Sequence, residues 1–170
     1  MILAMKDRTP DVGPLPRREA WFTMMLDRFC GPDGPGGSTT AAVMLASLRT
    51  GDRAEFEGAL TALFAAIPGE LHVKREGFYH SVFFAALQTV GAEITPESRS
   101  DKGRIDAVLK TPGFIYVIEF KLGSAESALQ QIKERRYHEA FLADPRPIIL
   151  LGAGGFAERN PRCLWEDVPQ

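Results

Sequence analysis

The sequence of 170 residues has few of the features that mark a secreted or membrane protein. Its only two cysteines, Cys30 and Cys163, allow at most one disulfide, and a reducing cytoplasm is the simpler inference. No uncharged apolar run approaches the ~20 residues needed to span a bilayer, and the N-terminus has no secretory signal pattern. The three histidines have no spacing typical of metal ligands. These absences predict a cytoplasmic globular protein without a Cys or His metal cluster.

A large excess of charge of one sign is also missing. The chain carries 20 basic and 22 acidic residues, which gives a formal net charge of −2. A nucleic-acid partner would therefore have to bind a local basic surface, because the chain as a whole is not basic. The apolar fraction of 45% is enough for one globular domain with a hydrophobic core.

Composition and periodicity divide the chain into three parts. Residues 1–16 are polar and proline-rich, which predicts a flexible arm. Residues 17–70 contain three predicted helices that form a helical linker or cap. Residues 71–170 follow the order helix, three strands, helix, strand, which predicts an α/β domain with a mixed sheet.

Several helix boundaries can be predicted from capping residues. Ser38 is predicted to cap the second helix, and Asp52 with Glu55 forms a capping-box-like start to the third. Ser124 or a neighbour is predicted to cap a long helix that continues through Phe141.

Two strand-like runs surround a turn at Pro112–Gly113 and predict a β-hairpin. If the turn is centred between these two residues, Asp106 lies directly opposite Glu119. Lys121 follows two residues after Glu119 and shares its face of the strand. Two carboxylates and an ammonium then meet at one end of the hairpin, as a metal-dependent phosphodiesterase requires. The alternative is a surface ion pair without catalytic function.

Four motifs in order resemble the PD-(D/E)xK nuclease superfamily. They are Glu76-Gly-Phe-Tyr-His on a helix, Gly-Arg-Ile-Asp106, Glu119-Phe-Lys121, and a helix carrying Gln131. More closely, they resemble the bacterial branch usually found C-terminal to an AAA-ATPase-like domain. The resemblance implies a restriction-endonuclease-like core with an N-terminal helical cap, in which the sheet begins with three antiparallel strands.

The resemblance also implies the roles of individual residues. Asp106, Glu119 and the backbone carbonyl of Phe120 would hold Mg²⁺ or Mn²⁺, cations that prefer oxygen ligands, with Glu76 assisting. Lys121 would orient the attacking water or stabilise charge on the phosphate, and Gln131 would support the site. An inactive nuclease-fold module that binds nucleic acid or a protein partner is the alternative.

Basic residues near these motifs could contact the substrate, which the resemblance implies is nucleic acid, most simply DNA. The predicted contacts are Arg104, Lys102, Lys133, Arg136 and Tyr137. The alternative for the helical members of this set is a solvated face balanced by neighbouring acids.

Other signals are weaker or concern partners. The run from Gly152 to Ala157 fits G-x-G-x-x-G/A, but it lacks the helix and the later acid of a dinucleotide-binding unit. His80 lies four residues after Glu76, yet a position on the helix surface or at the edge of the core is the preferred interpretation. The sequence has no nucleotide-binding phosphate loop, so any ATP coupling would need a separate ATPase partner. Both a monomer and a homodimer are compatible with the sequence.

Overall fold

The computed structural model describes residues 26–28, 36–100 and 103–169 of the chain. The predicted arm, the start of the first predicted helix and Lys102 lie outside these residues, while Leu26–Arg28 are helical. The helices that follow are α1 (Gly37–Thr50), α2 (Arg53–Ala65), α3 (Glu76–Thr89) and α4 (Ala125–Arg135). The strands are β1 (Glu93–Ser100), β2 (Gly103–Lys110), β3 (Ile115–Phe120), β4 (Ile148–Gly154) and β5 (Arg162–Asp167).

The five strands form one mixed sheet in the order β1-β2-β3-β4-β5. β3 and β4 are parallel, and the other neighbouring strands are antiparallel. The parallel connection between β3 and β4 passes through α4, as a parallel pair requires a long crossover. This arrangement confirms the predicted α/β class with a mixed sheet.

The hairpin of β2 and β3 has the predicted register. Its backbone pairs run from Lys110↔Ile115 to Ala107↔Ile118. Continuing by one residue on each strand places Asp106 across from Glu119, at the point where the ladder ends. The turn residues Pro112 and Gly113 therefore set the register of the hairpin, as the sequence predicted.

Hydrophobic side chains form two clusters, in which different helices pack on the sheet. The larger cluster joins residues of α1, α2 and α3 to strand residues such as Ile118 and Leu151. The smaller cluster joins Ile132 of α4 and Tyr137 to strand residues such as Val117. The residues of the predicted helical cap thus share a continuous core with the sheet, while the division of the chain at residues 16 and 70 stays a prediction.

A buried hydroxyl connects α1 to the centre of the sheet. Tyr116 of β3 donates a hydrogen bond of 2.6 Å to the carbonyl oxygen of Leu48. Burial raises the pKa of the Tyr116 phenol to about 12, so the hydroxyl stays protonated and able to donate.

Capping side chains begin two of the helices as predicted. Asp52 accepts a hydrogen bond from the backbone N–H of Glu55, and Ser124 accepts one from Ser127. The prediction for Ser38 was wrong, because Gly36 occupies the N-cap of α1. The Ser38 hydroxyl instead donates to the carboxylate of Asp27 at 2.9 Å.

The long helix predicted to continue through Phe141 is shorter than expected. α4 ends at Arg135 because Arg136 adopts a left-handed conformation with φ 53°. A 3₁₀-helix, Tyr137–Phe141, follows. Left-handed backbone is uncommon outside glycine, asparagine and aspartate, so no local sequence signal marked this end.

The glycines of β4 allow α4 to pack directly on the strand. A Cβ added at Gly152 would lie 2.5 Å from both the carbonyl oxygen of Ala125 and the amide nitrogen of Leu129. A Cβ added at Gly154 would collide with the backbone of Ser124 and Ala125. This close approach, rather than a dinucleotide site, accounts for the glycine-rich run.

The described residues also bear on the membrane and disulfide predictions. None of the helices in this part of the chain is both long and apolar enough to cross a membrane. Cys163 is buried and forms no disulfide within the described ranges, and burial raises the pKa of its thiol. Cys30 lies outside the described residues.

Candidate active site

A pocket of about 270 Å³ opens where β2 and β3 diverge. β2 continues to Gly103 and β3 continues to Phe120, but the two strands stop pairing after Ala107↔Ile118. The pocket is lined by Glu76, Gly77, His80, Arg104, Asp106, Glu119, Lys121 and Gln131. All five residues predicted to be catalytic therefore line one pocket, together with Arg104.

The carboxylate of Asp106 replaces a backbone bond at the end of the ladder. Its Oδ2 accepts a hydrogen bond of 2.9 Å from the backbone N–H of Phe120. The side chain of Phe120 packs inward, with its ring 5.0 Å from that of Phe83. One Asp106 oxygen is thus engaged in the sheet, while the residue still lines the pocket.

Glu119 is almost completely buried, and a residue of α4 contacts its carboxylate. Its side chain is 3% exposed, and its Oε1 accepts a hydrogen bond from the Gln131 side-chain amide. Its Oε2 is buried and has no hydrogen-bond partner among the residues that the structure describes. A buried carboxylate oxygen without a donor costs free energy, and a cation in the pocket would satisfy it.

Lys121 lies between two of the carboxylates. Its Nζ is 3.5 Å from Oε2 of Glu76 and 3.7 Å from Oε1 of Glu119. Glu76 also accepts a long contact of 3.5 Å from the backbone N–H of Leu122. Glu76 was predicted to assist in metal binding, which stays a prediction, and its carboxylate lies within ion-pair distance of Lys121.

Burial and mutual repulsion make both central carboxylates harder to ionise. Burial, followed by the charge of Asp106, raises the pKa of Glu119 from 4.5 to about 7, although Lys121 opposes the shift. Burial also raises the pKa of Asp106, against the hydrogen bond from Phe120. Near pH 7 the Glu119 carboxyl is therefore partly protonated, and a bound cation would displace that proton.

The raised pKa predicts how stability depends on pH. Between pH 4.5 and about 7 the folded chain keeps a proton on Glu119 that the unfolded chain has lost. The stabilisation that goes with this proton is about 3 kcal/mol. It is fully present below pH 4.5 and is lost as the pH rises through 7.

Glu119→Gln retains an acceptor for Gln131 but cannot ionise. We expect it to match the wild type at pH 4.5 and to be about 3 kcal/mol more stable at pH 8.

This expectation is tested by urea unfolding of both proteins in chelator across that pH range. The difference between the two free energies should grow with pH, because only the wild type carries the ionising group. A constant difference at every pH would contradict the assignment of the buried proton to Glu119.

The donor set fits a hard divalent cation that keeps part of its water shell. Two carboxylates and the neighbouring Phe120 carbonyl are oxygen ligands, and Mg²⁺ is typically bound by one or two carboxylates plus water. Within residues 26–28, 36–100 and 103–169, no three His, Cys, Asp or Glu side chains converge as a complete metal cage. Asp106, Glu119 and the Phe120 carbonyl, with Glu76 assisting, stay the predicted ligands of a cation in this pocket.

The predicted substrate-binding residues occupy different environments. Arg104 is exposed at the edge of the pocket. Lys133 pairs with Glu166 of the edge strand β5 at 2.9 Å, and Arg136 pairs with Glu139. Tyr137 is 3% exposed and packs in the smaller hydrophobic cluster, so its ring offers no free face.

His80 lines the pocket although it was not selected from the sequence. It is buried, and its ring lies 5.8 Å from that of Phe120. Within the described part of the chain, its Nε2 has no hydrogen-bond partner. Its position one helical turn after Glu76 was the signal that could have identified it. The sequence interpretation as a residue on the helix surface or at the core edge underestimated its closeness to the site.

The fold and the pocket were compared with known protein families. The family model of the PD-(D/E)XK nuclease superfamily matches residues 74–159, about half of the chain. This chain belongs to the PD-(D/E)XK nuclease superfamily. The matched segment contains α3, the sheet through β4 and α4, and so includes every residue that lines the pocket. Nucleases of this superfamily generally use divalent metal ions.

One similar protein is described as an uncharacterized protein in the vnfD 5' region of Azotobacter chroococcum mcd 1. It is 37% identical over 100 residues, which cover 54% of this chain and 19% of the relative. This chain therefore matches about a fifth of the length of that protein. No solved structure matches this superfamily member.

Proposed function

We propose that this chain is a metal-dependent nuclease that hydrolyses phosphodiester bonds of DNA or RNA. The observation that supports the proposal is the meeting of Asp106, Glu119 and Lys121 in one pocket of a PD-(D/E)XK fold. Mg²⁺ and Mn²⁺ are the cations that suit its oxygen ligands. A bound divalent cation supplies Lewis acidity, which polarises a phosphoryl oxygen and lowers the pKa of a water molecule.

The residues of the chain supply positioning and charge. Gln131 fixes the orientation of Glu119 through its side-chain amide, and Glu76 holds Lys121 at the mouth of the pocket. Lys121, whose side chain is about one-quarter exposed, is placed to hold the attacking water or to stabilise negative charge on the phosphate. Glu76, Glu119 and Gln131 are mounted on a helix or a strand, and Lys121 follows directly after β3, which limits their movement during the reaction.

The test is cleavage of a plasmid and of labelled DNA and RNA oligonucleotides by the purified chain. We expect cleavage with Mg²⁺ or Mn²⁺ and none with excess chelator, because metal removal leaves no Lewis acid in the pocket. The rate should increase from pH 6 to pH 8 as the proton on Glu119 is lost.

Glu119→Gln, purified in parallel, controls for contaminating nucleases. Cleavage that is equal in both preparations would contradict the proposal. Absence of cleavage by the wild type would favour the alternative, a nuclease-fold module that binds nucleic acid or a protein partner without cutting. The separate ATPase partner, the oligomeric state and the cytoplasmic location stay predictions.

A further inference from the structure

The helix α3, which lines the active-site pocket, begins without a capping side chain. It starts at Glu76, and Arg75 at its N-cap makes no side-chain hydrogen bond to the helix. In the described part of the chain, no carbonyl or side chain accepts a hydrogen bond from the backbone N–H groups of Glu76 and Gly77. Unpaired N–H groups at the start of a helix, together with the helix dipole, favour an anion.

The space in front of these N–H groups is open to the pocket. Gly77 lines the pocket and is exposed, and a Cβ added to it would meet no atom within 4 Å. The Glu76 carboxylate is turned towards the end of β3, because its two oxygens lie 3.5 Å from the Lys121 Nζ and from the Leu122 backbone nitrogen. The glycine therefore leaves room for a ligand at the start of α3.

A buried histidine is a second and independent sign of a ligand at this place. His80 lines the same pocket, is 8% exposed, and has no partner for its Nε2 among the described residues. Helical side chains lean towards the N-terminus, so the ring of His80 lies over the turn that contains Glu76 and Gly77. A buried polar atom without a partner costs free energy, and a ligand that hydrogen-bonds to the imidazole would recover it.

Two cations directly precede the helix. Lys74 and Arg75 are exposed, and neither forms an ion pair within the described residues. Together with the positive end of the helix dipole, they make the start of α3 locally positive in a chain whose net charge is −2. Glu76 offsets part of this charge, but its carboxylate is shared with Lys121.

We propose that the start of α3 and His80 bind a phosphate group of the nucleic acid that neighbours the phosphate to be cleaved. The backbone N–H groups of Glu76 and Gly77 and the imidazole N–H of His80 donate hydrogen bonds to its oxygens, and Lys74 and Arg75 add positive charge. Imidazole carries an N–H in either protonation state, so the site needs a donor and not a charged histidine. This inference rests on the proposed nuclease function and adds a substrate-binding element to it.

The first experiment measures binding of a short labelled DNA strand, and of an RNA strand of the same sequence, with Ca²⁺ in place of Mg²⁺ to prevent cleavage. Gly77→Asp puts a negative charge at the proposed phosphate, and we expect it to weaken binding by at least about tenfold. Its thermal midpoint should not fall, because a negative charge in the first turn of a helix is favourable.

Gly58→Asp is the matched control for this variant. Gly58 is also an exposed glycine within a helix, and a Cβ added to it would meet no atom within 4 Å. The control carries the same net charge as Gly77→Asp and should bind like the wild type. Strands with a 5′-phosphate and with a 5′-hydroxyl identify the phosphate: an effect limited to the first indicates a terminal phosphate, and an effect on both indicates an internal one. Either result supports the site.

The second experiment compares His80→Gln with His80→Met. The two side chains have similar size, but only glutamine has an N–H donor. We expect His80→Met to weaken binding by about tenfold and His80→Gln to keep most of the affinity. Calorimetric titration of Mn²⁺ should give the wild-type affinity for both variants, because His80 binds the phosphate and not the cation.

The outcomes separate the phosphate site from the nuclease function. If the wild type cleaves but Gly77→Asp binds as tightly as Gly58→Asp, the phosphate site is wrong and the nuclease stands. If His80→Gln binds as weakly as His80→Met, or if Mn²⁺ affinity falls together with nucleic-acid affinity, His80 is no phosphate donor and the proposal is overturned. If the variants behave as expected but the wild type does not cleave, the site stands and the nuclease function fails. If the wild type neither binds nor cleaves, both proposals fail.

Discussion

Asp106→Asn is expected to lower metal-dependent cleavage by at least about a thousandfold while the fold stays intact. The asparagine side-chain oxygen can still accept the hydrogen bond from the Phe120 N–H, so the hydrogen bond at the end of the ladder is kept. The negative charge that would hold the cation is lost, and charge stabilisation by a metal amounts to several kcal/mol. Each ~1.4 kcal/mol lost from transition-state stabilisation corresponds to tenfold in rate.

The measurement combines initial cleavage rates of a labelled oligonucleotide with calorimetric titration of Mn²⁺. Asp106→Asn should lose both cleavage and metal binding. Lys121→Met should keep metal binding but cleave about 10²–10³ times more slowly, because it removes only the positive charge at the phosphate. Lys110→Met, at the other end of β2, is the matched control and should cleave normally. Full cleavage by Asp106→Asn would refute its role as a ligand.

Gly152→Ala is expected to destabilise the protein by about 3 kcal/mol and to reduce cleavage through a movement of α4. The added Cβ would lie 2.5 Å from two backbone atoms of α4, and a helix backbone cannot rotate aside as a flexible side chain can. The helix must move away from β4, and Gln131 moves with it. Because Gln131 holds Glu119, a shift of about 1 Å should reduce cleavage by about 100-fold.

Urea unfolding and cleavage assays at a temperature where the variant is folded test both parts of this prediction. Gly58→Ala is the matched control, since Gly58 is exposed within α2 and an added Cβ would meet no atom within 4 Å. Alanine there should stabilise the protein by 0.5–1 kcal/mol, because glycine is unfavourable inside a helix. Equal stability of Gly152→Ala and the wild type would show that α4 adjusts without strain.

The features that the sequence predicted correctly depend on neighbouring residues. Pro112 and Gly113 set the turn, and the turn sets the register that brings Asp106 across from Glu119. Asp52 and Ser124 cap their helices through residues three positions away. The mixed sheet followed from the order of helices and strands.

The features that could not be predicted depend on contacts between distant segments. Lys133 faces Glu166, 33 residues later in the chain, so its ion pair on the edge strand has no local signal. Tyr137 is buried because it packs with distant strand residues, although it follows a polar helix. The left-handed Arg136 ends α4 without a glycine, and this shortened the predicted helix.

In relatives that had lost cleavage, positions 106 and 119 would be under different selection. The Asp106 carboxylate completes a hydrogen bond in the sheet, so selection for folding alone would keep an acceptor at this position. The buried Glu119 costs stability at neutral pH, and none of the described residues donates a hydrogen bond to its Oε2, so folding alone gives no reason to keep it. A glutamate retained at position 119 is therefore the better sign, among related sequences, that the site still works.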